Sequence, residues 1–211
     1  MQNKKVPDLH LEKGAWKRGF QNVAGVDEVG RGAWAGPVVA AAVVLPKCLA
    51  PRFIDLGIND SKKLSKGQRQ RIFIELLPLA CIGIGFSSSV EVDTNNIVKS
   101  TCYAMKRSLL GLSVRPDYIL VDGNVLPITG FSGEFVVKGD TVSLSIAAAS
   151  IIAKVARDTF MEQLSSVYPG YGWEQNAGYG TSNHKSALNQ MGITKYHRKS
   201  FKPIIKILSI D

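Results

Sequence analysis

Val23-Ala24-Gly25-Val26-Asp27-Glu28-Val29-Gly30-Arg31-Gly32 is an apolar run that takes up two acids and then breaks on glycine. Shortly after it comes Pro37-Val38-Val39-Ala40-Ala41-Ala42-Val43-Val44-Leu45, a second Val/Ala-rich run. Both read as strands, and the short connection predicts that they pair antiparallel. Working outward, Ser61 to Leu77 reads as a helix and Cys81 to Val90 as a third strand. Thr94 to Leu112 carries apolar residues at three- and four-residue spacing, which predicts a helix. Tyr118 to Val121 makes a fourth strand and Phe135 to Lys138 a short fifth. Val142 to Val167, rich in Ala, Ile and Val, predicts a long helix. Strands mixed with helices define an α/β chain.

The 211 residues, 45% of them hydrophobic, suffice for one compact core. Three stretches are distinguished: residues 1–20, an N-terminal extension; 21–167, the α/β domain; and 168–211, a segment that opens on Tyr168-Pro169-Gly170-Tyr171-Gly172-Trp173 and continues as short helices. The extension carries Lys4, Lys5, Lys13, Lys17 and Arg18 and reads as either a disordered basic arm or a short strand-like lead-in. It holds no apolar run of signal-peptide length, and no stretch elsewhere approaches a membrane span, so the expected address is the cytoplasm and no membrane is a partner. Cys48, Cys81 and Cys102 are odd in number and lack C-x-x-C spacing, which predicts core thiols in a reducing compartment.

Twenty-six Lys and Arg against 17 Asp and Glu give a formal charge of +9, which favours a polyanionic partner, nucleic acid before an anionic membrane surface. The excess is local. Between Gln175 and Ile210 stand Lys185, Lys195, Arg198, Lys199, Lys202 and Lys206 with no Asp or Glu, a pattern suited to a surface that faces phosphates.

Against that basic background the acids are placed with purpose. Asp27 and Glu28 close the first apolar strand, Asp122 ends Tyr118-Ile119-Leu120-Val121, and Asp140 ends Phe135-Val136-Val137-Lys138-Gly139. Ligands gather at the carboxyl ends of strands in such sheets, so acids far apart in sequence converge there. Convergent carboxylates repel unless cations intervene. Hard oxygen ligands describe magnesium or manganese, and a pair of such ions activates water and stabilises the leaving oxygen in phosphodiester cleavage. Neighbouring strand residues point to opposite faces, so Asp27 and Glu28 reach one cluster only if the strand distorts; Gly30 and Gly32 offer a bulge or a sharp exit. Taken singly, each acid reads equally as a strand-end cap or a solvated turn.

Gly25-Val26-Asp27-Glu28-Val29-Gly30-Arg31-Gly32 resembles the signature opening of the ribonuclease HII family. The resemblance continues in family order through Asn59-Asp60-Ser61-Lys62-Lys63-Leu64-Ser65, Val121-Asp122-Gly123-Asn124 and Val137-Lys138-Gly139-Asp140. It then runs through Ala148 to Asp158 and Gly178-Tyr179-Gly180-Thr181 with His184. It implies a ribonuclease H-like mixed five-stranded sheet flanked by helices, with a helical C-terminal segment that clamps the duplex. It implies that Asp27, Glu28, Asp122 and Asp140 are the catalytic, metal-binding acids, with two Mn2+ or Mg2+ ions held when substrate is bound. The implied substrates are RNA/DNA hybrids and DNA duplexes containing ribonucleotides, cut 5′ of the ribonucleotide to leave 3′-hydroxyl and 5′-phosphate ends. Primer removal and repair of misincorporated ribonucleotides are the implied uses.

The same resemblance makes Gly30-Arg31-Gly32 a ribose-reading loop, where bare backbone approaches the 2′-hydroxyl that separates RNA from DNA. By itself Gly-x-Gly is a plain turn. Tyr179 resembles the family's junction-sensing tyrosine, and Gly180 stands where proline is frequent, which predicts a looser hold on Tyr179. Lys62, Lys63, Lys154 and Arg31 are candidates for phosphate contacts, though charged heads on helices also serve as solvated faces. His184 and His197 read as surface residues of a basic loop rather than catalytic groups. A monomer is the default expectation. Two rivals remain: a DNA resolvase with similar acids that ignores the 2′-hydroxyl, against which Gly30-Arg31-Gly32 and Tyr179 speak, and a non-catalytic hybrid-binding module, against which the clustered acids speak. A P-loop or Rossmann reading fails because no glycine-rich loop of the required spacing opens a helix after a strand.

Overall fold

The strand β2 (Val38–Val44) is buried at all seven positions and carries no charge, so both of its faces need cover. The computed structural model, which describes residues 6–124 and 130–209, supplies it from helices on either side. β2 pairs antiparallel with β1 (Val23–Val29) in unbroken register, from Ala24 against Val44 to Val29 against Val39. β3 (Cys81–Ser87) is antiparallel on the other side of β2, while β4 (Tyr118–Asp122) and β5 (Gly133–Val136) follow β1 in parallel. The order is β3-β2-β1-β4-β5, a mixed five-stranded sheet as expected.

One face packs against α5 (Leu144–Val167), and the other against α4 (Ser89–Leu110). Ala41 and Val43 point into the α5 layer with Phe53, Ile72, Ile151 and Ile152; Ala40, Ala42 and Val44 point into the α4 layer with Ala104, Met105 and Leu109. Each fully buried Ile or Leu of these layers contributes about 1.5–3 kcal/mol relative to exposure. Glycine sets how closely α5 approaches: a Cβ on Gly25 would fall on the backbone of Ser145 and Ile146.

Several boundaries differ from the sequence reading, each for a local reason. Ser61 to Leu77 is a 3-10 turn (Ser61–Lys63) and then α3 (Lys66–Leu76), because Ser65 and Gln68 form a reciprocal capping box that restarts the helix. The third strand stops at Ser87, since Ser88 and Glu91 form a second capping box that opens α4. α4 itself is interrupted at Asn96, whose φ is 66°. The fifth strand is displaced to Gly133–Val136, and Lys138 at φ 55° turns the chain into a 3-10 turn, Gly139–Thr141. α2 (Ala50–Asp55) was not anticipated.

Where it is described, the N-terminal stretch is no free arm: a one-residue parallel bridge, Asp8 with Ser143, leads into a helix that was not expected. α1 (His10–Lys17) docks on the core through Leu9 and Ala15. Buried Glu12 accepts from Ser143 Oγ at 2.6 Å, Ser145 Oγ at 2.6 Å and Ser145 N–H at 2.9 Å, fastening α1 to the start of α5. Residues 1–5 lie outside the described residues. The cysteines are free but are not core thiols: Cys48 is exposed, and Cys81 and Cys102 are half-buried.

Beyond α5, α6 (Trp173–Asn176), α7 (Ser182–Met191) and α8 (Lys202–Leu208) pack around Trp173 with Met161, Leu164, Tyr171, Leu188 and Ile204. Residues 210 and 211 of this segment lie outside the described ones. Among the described residues, no helix is long and apolar enough to cross a membrane.

Candidate active site

Because β1, β4 and β5 run parallel, their carboxyl ends share one edge of the sheet. Asp27 and Glu28 lie near the end of β1, Asp122 ends β4, and Asp140 follows β5. Asp140 does not end a strand; it sits in the 3-10 turn that leads into α5. Nor does β1 bulge at the acid pair, for its pairing with β2 stays regular through Val29. Asp27 therefore faces the α5 layer and Glu28 the α4 layer. They share a neighbourhood because β1–β4 pairing stops at Val26 and Val121, which leaves the next residues open at the sheet's end. The sharp exit comes three residues after Asp27, at Gly30, whose φ is +89°.

The proximity of the four carboxyls is read in their electrostatics. Burial pushes Asp27 well above the ordinary carboxyl range, and the charges of Glu28, Asp122 and Asp140 push it further. Glu28 is raised by burial and by Asp122, against the pull of Arg31, whose Nη1 lies 3.2 Å from Glu28 Oε1. Asp122 is raised by burial and by Asp140, although the Gly139 N–H donates to its Oδ1 at 2.6 Å. Lys62 Nζ stands 3.3 Å from Asp140 Oδ2 with its side chain 80% exposed. Partial burial pulls the Lys62 ammonium down, but Asp140, Asp27 and Asp60 outweigh it and hold the group above its usual value.

Among the described residues, no three His, Cys, Asp or Glu side chains are closed into a ready-made ion cage. Uncompensated carboxylates that repel one another have no reason to close. The donor set nonetheless suits a hard cation: every donor is a carboxylate oxygen, and fixed partners anchor one oxygen each of Asp27, Glu28, Asp122 and Asp140.

The next loop separates the two glycines of Gly30-Arg31-Gly32. A Cβ on Gly30 would fall on the Arg157 guanidinium, whereas one on Gly32 would meet nothing within 4 Å. Gly30 is thus small for packing, and Gly32 bares its backbone on an open side. Arg31 turns its side chain back to Glu28. Tyr179 is held firmly rather than loosely: its N–H donates to Asn176 O at 2.9 Å, its carbonyl accepts from Thr181 N–H at 2.9 Å, and His184 Nδ1 lies 3.0 Å from that carbonyl. A Cβ on Gly180 would fall on the Trp34 indole, so an aromatic ring lies where a bulkier residue would stand. Lys154 pairs with Asp158 at 2.9 Å and lines a cavity of about 320 Å³ with Lys66, Arg69, Asn176 and Tyr179. Lys63 points to Asp60, 4.0 Å away.

His184 and His197 are not surface residues; both are buried, with their Nε2 atoms 3.1 Å apart. Thr194 N–H donates to His197 Nδ1 at 2.8 Å, which leaves His197 Nε2–H to donate to His184 Nε2 and His184 Nδ1–H to donate to the Tyr179 carbonyl. Trp173 Nε1–H also points at His184 Nε2, at 3.2 Å. Burial lowers His184; burial and the neighbouring His184 lower His197 to about 4.

Sequence reasoning also missed Trp34, Arg157 and Arg198. The two arginines are fully buried: Arg198 stands in a basic stretch that gives no sign of it, while Arg157 falls at four-residue spacing between Ala153 and Met161 on the buried stripe of α5, a signal its charge overrides.

A family model described as Ribonuclease HII matches residues 24–204. A protein of Ruegeria sp. (strain TM1040) named Ribonuclease HII is 50% identical over 203 residues, 96% of this chain and 87% of that protein. One of the same name from Rhodospirillum rubrum is 50% identical over 206 residues, 97% of this chain and 93% of that protein. Among solved structures, the ribonuclease H2 from Pyrococcus horikoshii OT3 superposes with a TM-score of 0.78 at 27% identity, covering 90% of this chain and 98% of that one.

Proposed function

Since the chain belongs to the ribonuclease HII family and is a ribonuclease H, an endonuclease of the RNA strand, we propose that it also nicks DNA duplexes 5′ of embedded ribonucleotides. The products are a 3′-hydroxyl and a 5′-phosphate. The observation that carries the reading is the placement of Asp27, Glu28 and Asp122 at the carboxyl ends of parallel β1 and β4, with Asp140 in the turn after β5 whose Gly139 N–H holds Asp122. An enzyme keeps such an arrangement when something positive completes it.

In this reading the four acids hold divalent ions, Mn2+ or Mg2+, two of them when the duplex is bound. Such ions supply Lewis acidity toward the phosphate and neutralise charge on the leaving oxygen. The protein's part is positioning. Asp27 is central, since the charges of all three other acids bear on it. Gly139 N–H fixes the Asp122 carboxylate, and Arg31 orients Glu28. Lys62 reaches from its exposed stem toward Asp140 and is placed to meet a phosphate entering there. The open backbone at Gly32 reads the 2′-hydroxyl, and Tyr179 lies against the following sugar, where an extra hydroxyl fits poorly. Lys154 and the basic residues of α7 and α8 follow the duplex backbone, with the C-terminal segment as the clamp.

The test is an end-labelled DNA duplex carrying one ribonucleotide, incubated with Mn2+ or Mg2+ beside an all-DNA duplex and a chelator control. A single metal-dependent nick 5′ of the ribonucleotide is expected. Equal cutting of both duplexes points to a DNA nuclease, and binding without a nick points to a hybrid-binding module; either outcome overturns the proposal.

A further inference from the structure

Arg157 and Arg198 are fully buried, yet among the described residues neither lies within salt-bridge distance of a carboxylate. Every hydrogen bond they make with their side chains goes to a backbone carbonyl. Arg157 donates to Pro37 O at 2.8 Å, Ala35 O at 3.1 Å and Ala177 O at 2.8 Å. Arg198 donates to Gly36 O at 3.0 and 2.9 Å and to Arg31 O at 2.9 Å. Burial lowers both groups, and the charge of Arg157 lowers Arg198 further; two buried cations without a carboxylate are a poor device for stability alone.

The carbonyls they hold belong to two elements. Arg31, Ala35, Gly36 and Pro37 form the stretch that continues from Gly30-Arg31-Gly32, and Ala177 opens the loop that carries Tyr179. The Arg157 guanidinium also lies 5.4 Å from the centre of the Tyr179 ring and fills the space that a Gly30 Cβ would need. Direct bonds tie the same elements: Trp34 N–H and Ala35 N–H both donate to Gly178 O, at 2.8 and 3.2 Å. Gly36 N–H donates to Tyr196 O at 2.9 Å, and Arg198 N–H donates to Trp34 O at 2.8 Å.

The geometry points to Arg157 and Arg198 as positioning residues: Arg157 fuses the 2′-hydroxyl-reading loop to the Tyr179 loop, and Arg198 braces the first of these from Arg31 to Gly36, so that the two loops form one rigid gauge. A ribonucleotide and the sugar after it are then measured together, at a spacing fixed before substrate arrives. This inference rests on the proposed reading of Gly30-Arg31-Gly32 and Tyr179. Neither arginine touches substrate. A guanidinium is required because its planar fork serves three carbonyls at once in Arg157 and two in Arg198, one of them doubly, which a lysine ammonium on a flexible stem does not reproduce.

The experiment compares kcat/KM of the full-length enzyme with Mn2+ on two duplexes, one with a single ribonucleotide followed by deoxynucleotides and one with an all-RNA strand. Arg198→Lys and Arg157→Lys are measured beside the wild type, with melting curves and the Mn2+ half-saturation for each. The wild type is expected to prefer the single-ribonucleotide duplex, and each variant to lose about tenfold of that preference, as sub-ångström misplacement of a recognition group does. The Mn2+ half-saturation is expected to stay at the wild-type value. A preference intact in folded variants overturns the gauge alone. A wild type with no preference overturns the ribose reading and, with it, the gauge as a specificity device. Should both variants fail to fold, hydrogen exchange on the free wild type decides: the amides of Trp34, Ala35 and Gly36 are expected to exchange as slowly as those of α5, and exchange at open-loop rates overturns the inference.

Discussion

Asp122→Asn is expected to make the metal-free enzyme more stable while stopping catalysis. The Asp122 Oδ1 accepts the Gly139 N–H at 2.6 Å, and an asparagine Oδ1 accepts it equally, so the turn before α5 keeps its anchor. What disappears is one negative charge beside Asp140 and beside Asp27, which is buried and pushed up by three neighbouring carboxyls. Relief of such repulsion at a functional site is worth about 1–2 kcal/mol. For a domain of this size it raises the melting temperature by about 2–8 °C. The assay is thermal unfolding at neutral pH, first with a chelator and then with Mn2+ and an RNA/DNA duplex. The chelated variant is expected to melt above the wild type, the wild type to gain more from Mn2+ than the variant, and hydrolysis to fall at least about a hundredfold. A chelated variant that melts below the wild type, or one that still cleaves, refutes the reasoning.

The buried histidines make stability pH-dependent. His197 is held down at about 4, so between that pH and the ordinary histidine value the unfolded chain binds a proton that the folded chain refuses. The stabilisation is complete above about pH 6.5 and is lost as the pH falls toward 4, by about 3 kcal/mol. Melting curves across that range should slope less in His197→Asn, and an unchanged slope contradicts the assignment. Glu12→Ala removes the buried acceptor of two hydroxyls and an N–H, of which one hydroxyl can still donate to the other at 3.1 Å, at a cost of about 3 kcal/mol or roughly 6–12 °C in melting temperature; a shift under about 2 °C would mean that α1 is not fastened there. Gly25→Ala drives a methyl into the backbone of α5, where no side chain can yield, and should cost about 3 kcal/mol or more by urea unfolding. A midpoint unchanged from wild type would show that α5 is free to shift.

The sheet was legible because its strands are unmixed. Val23–Val29, Val38–Val44 and Tyr118–Asp122 are apolar runs bounded by glycine, proline or acid, and acids mark the carboxyl ends of the first and third. Asp27, Glu28 and Asp122 were legible as strand-end acids for the same reason, whereas Asp140 lies in the turn after β5, and the way Asp27 and Glu28 come into one neighbourhood was not legible. That depends on where β1 parts from β4, a tertiary fact without a local signature. Capping pairs such as Ser65 with Gln68 were present in the sequence as a motif and went unread. The polar residues that hold the loops are a different matter. Arg198, His184 and His197 look like members of a basic, solvated surface and Arg157 like the polar edge of an apolar helix; only packing against Trp173 and the backbone of residues 31–37 takes them inside. Glu12 is similar: an acid on a short helix has no reason to be buried until Ser143 and Ser145 are seen above it.

The acid edge can work only if cations complete it. The direct measurement is calorimetric titration of Mn2+ into the enzyme bound to a duplex whose scissile linkage is replaced by a non-hydrolysable one, beside Asp27→Asn. Uptake of two ions by the wild type and loss of that uptake in the variant is the expected result. No uptake by the wild type, or equal uptake by both proteins, contradicts the account.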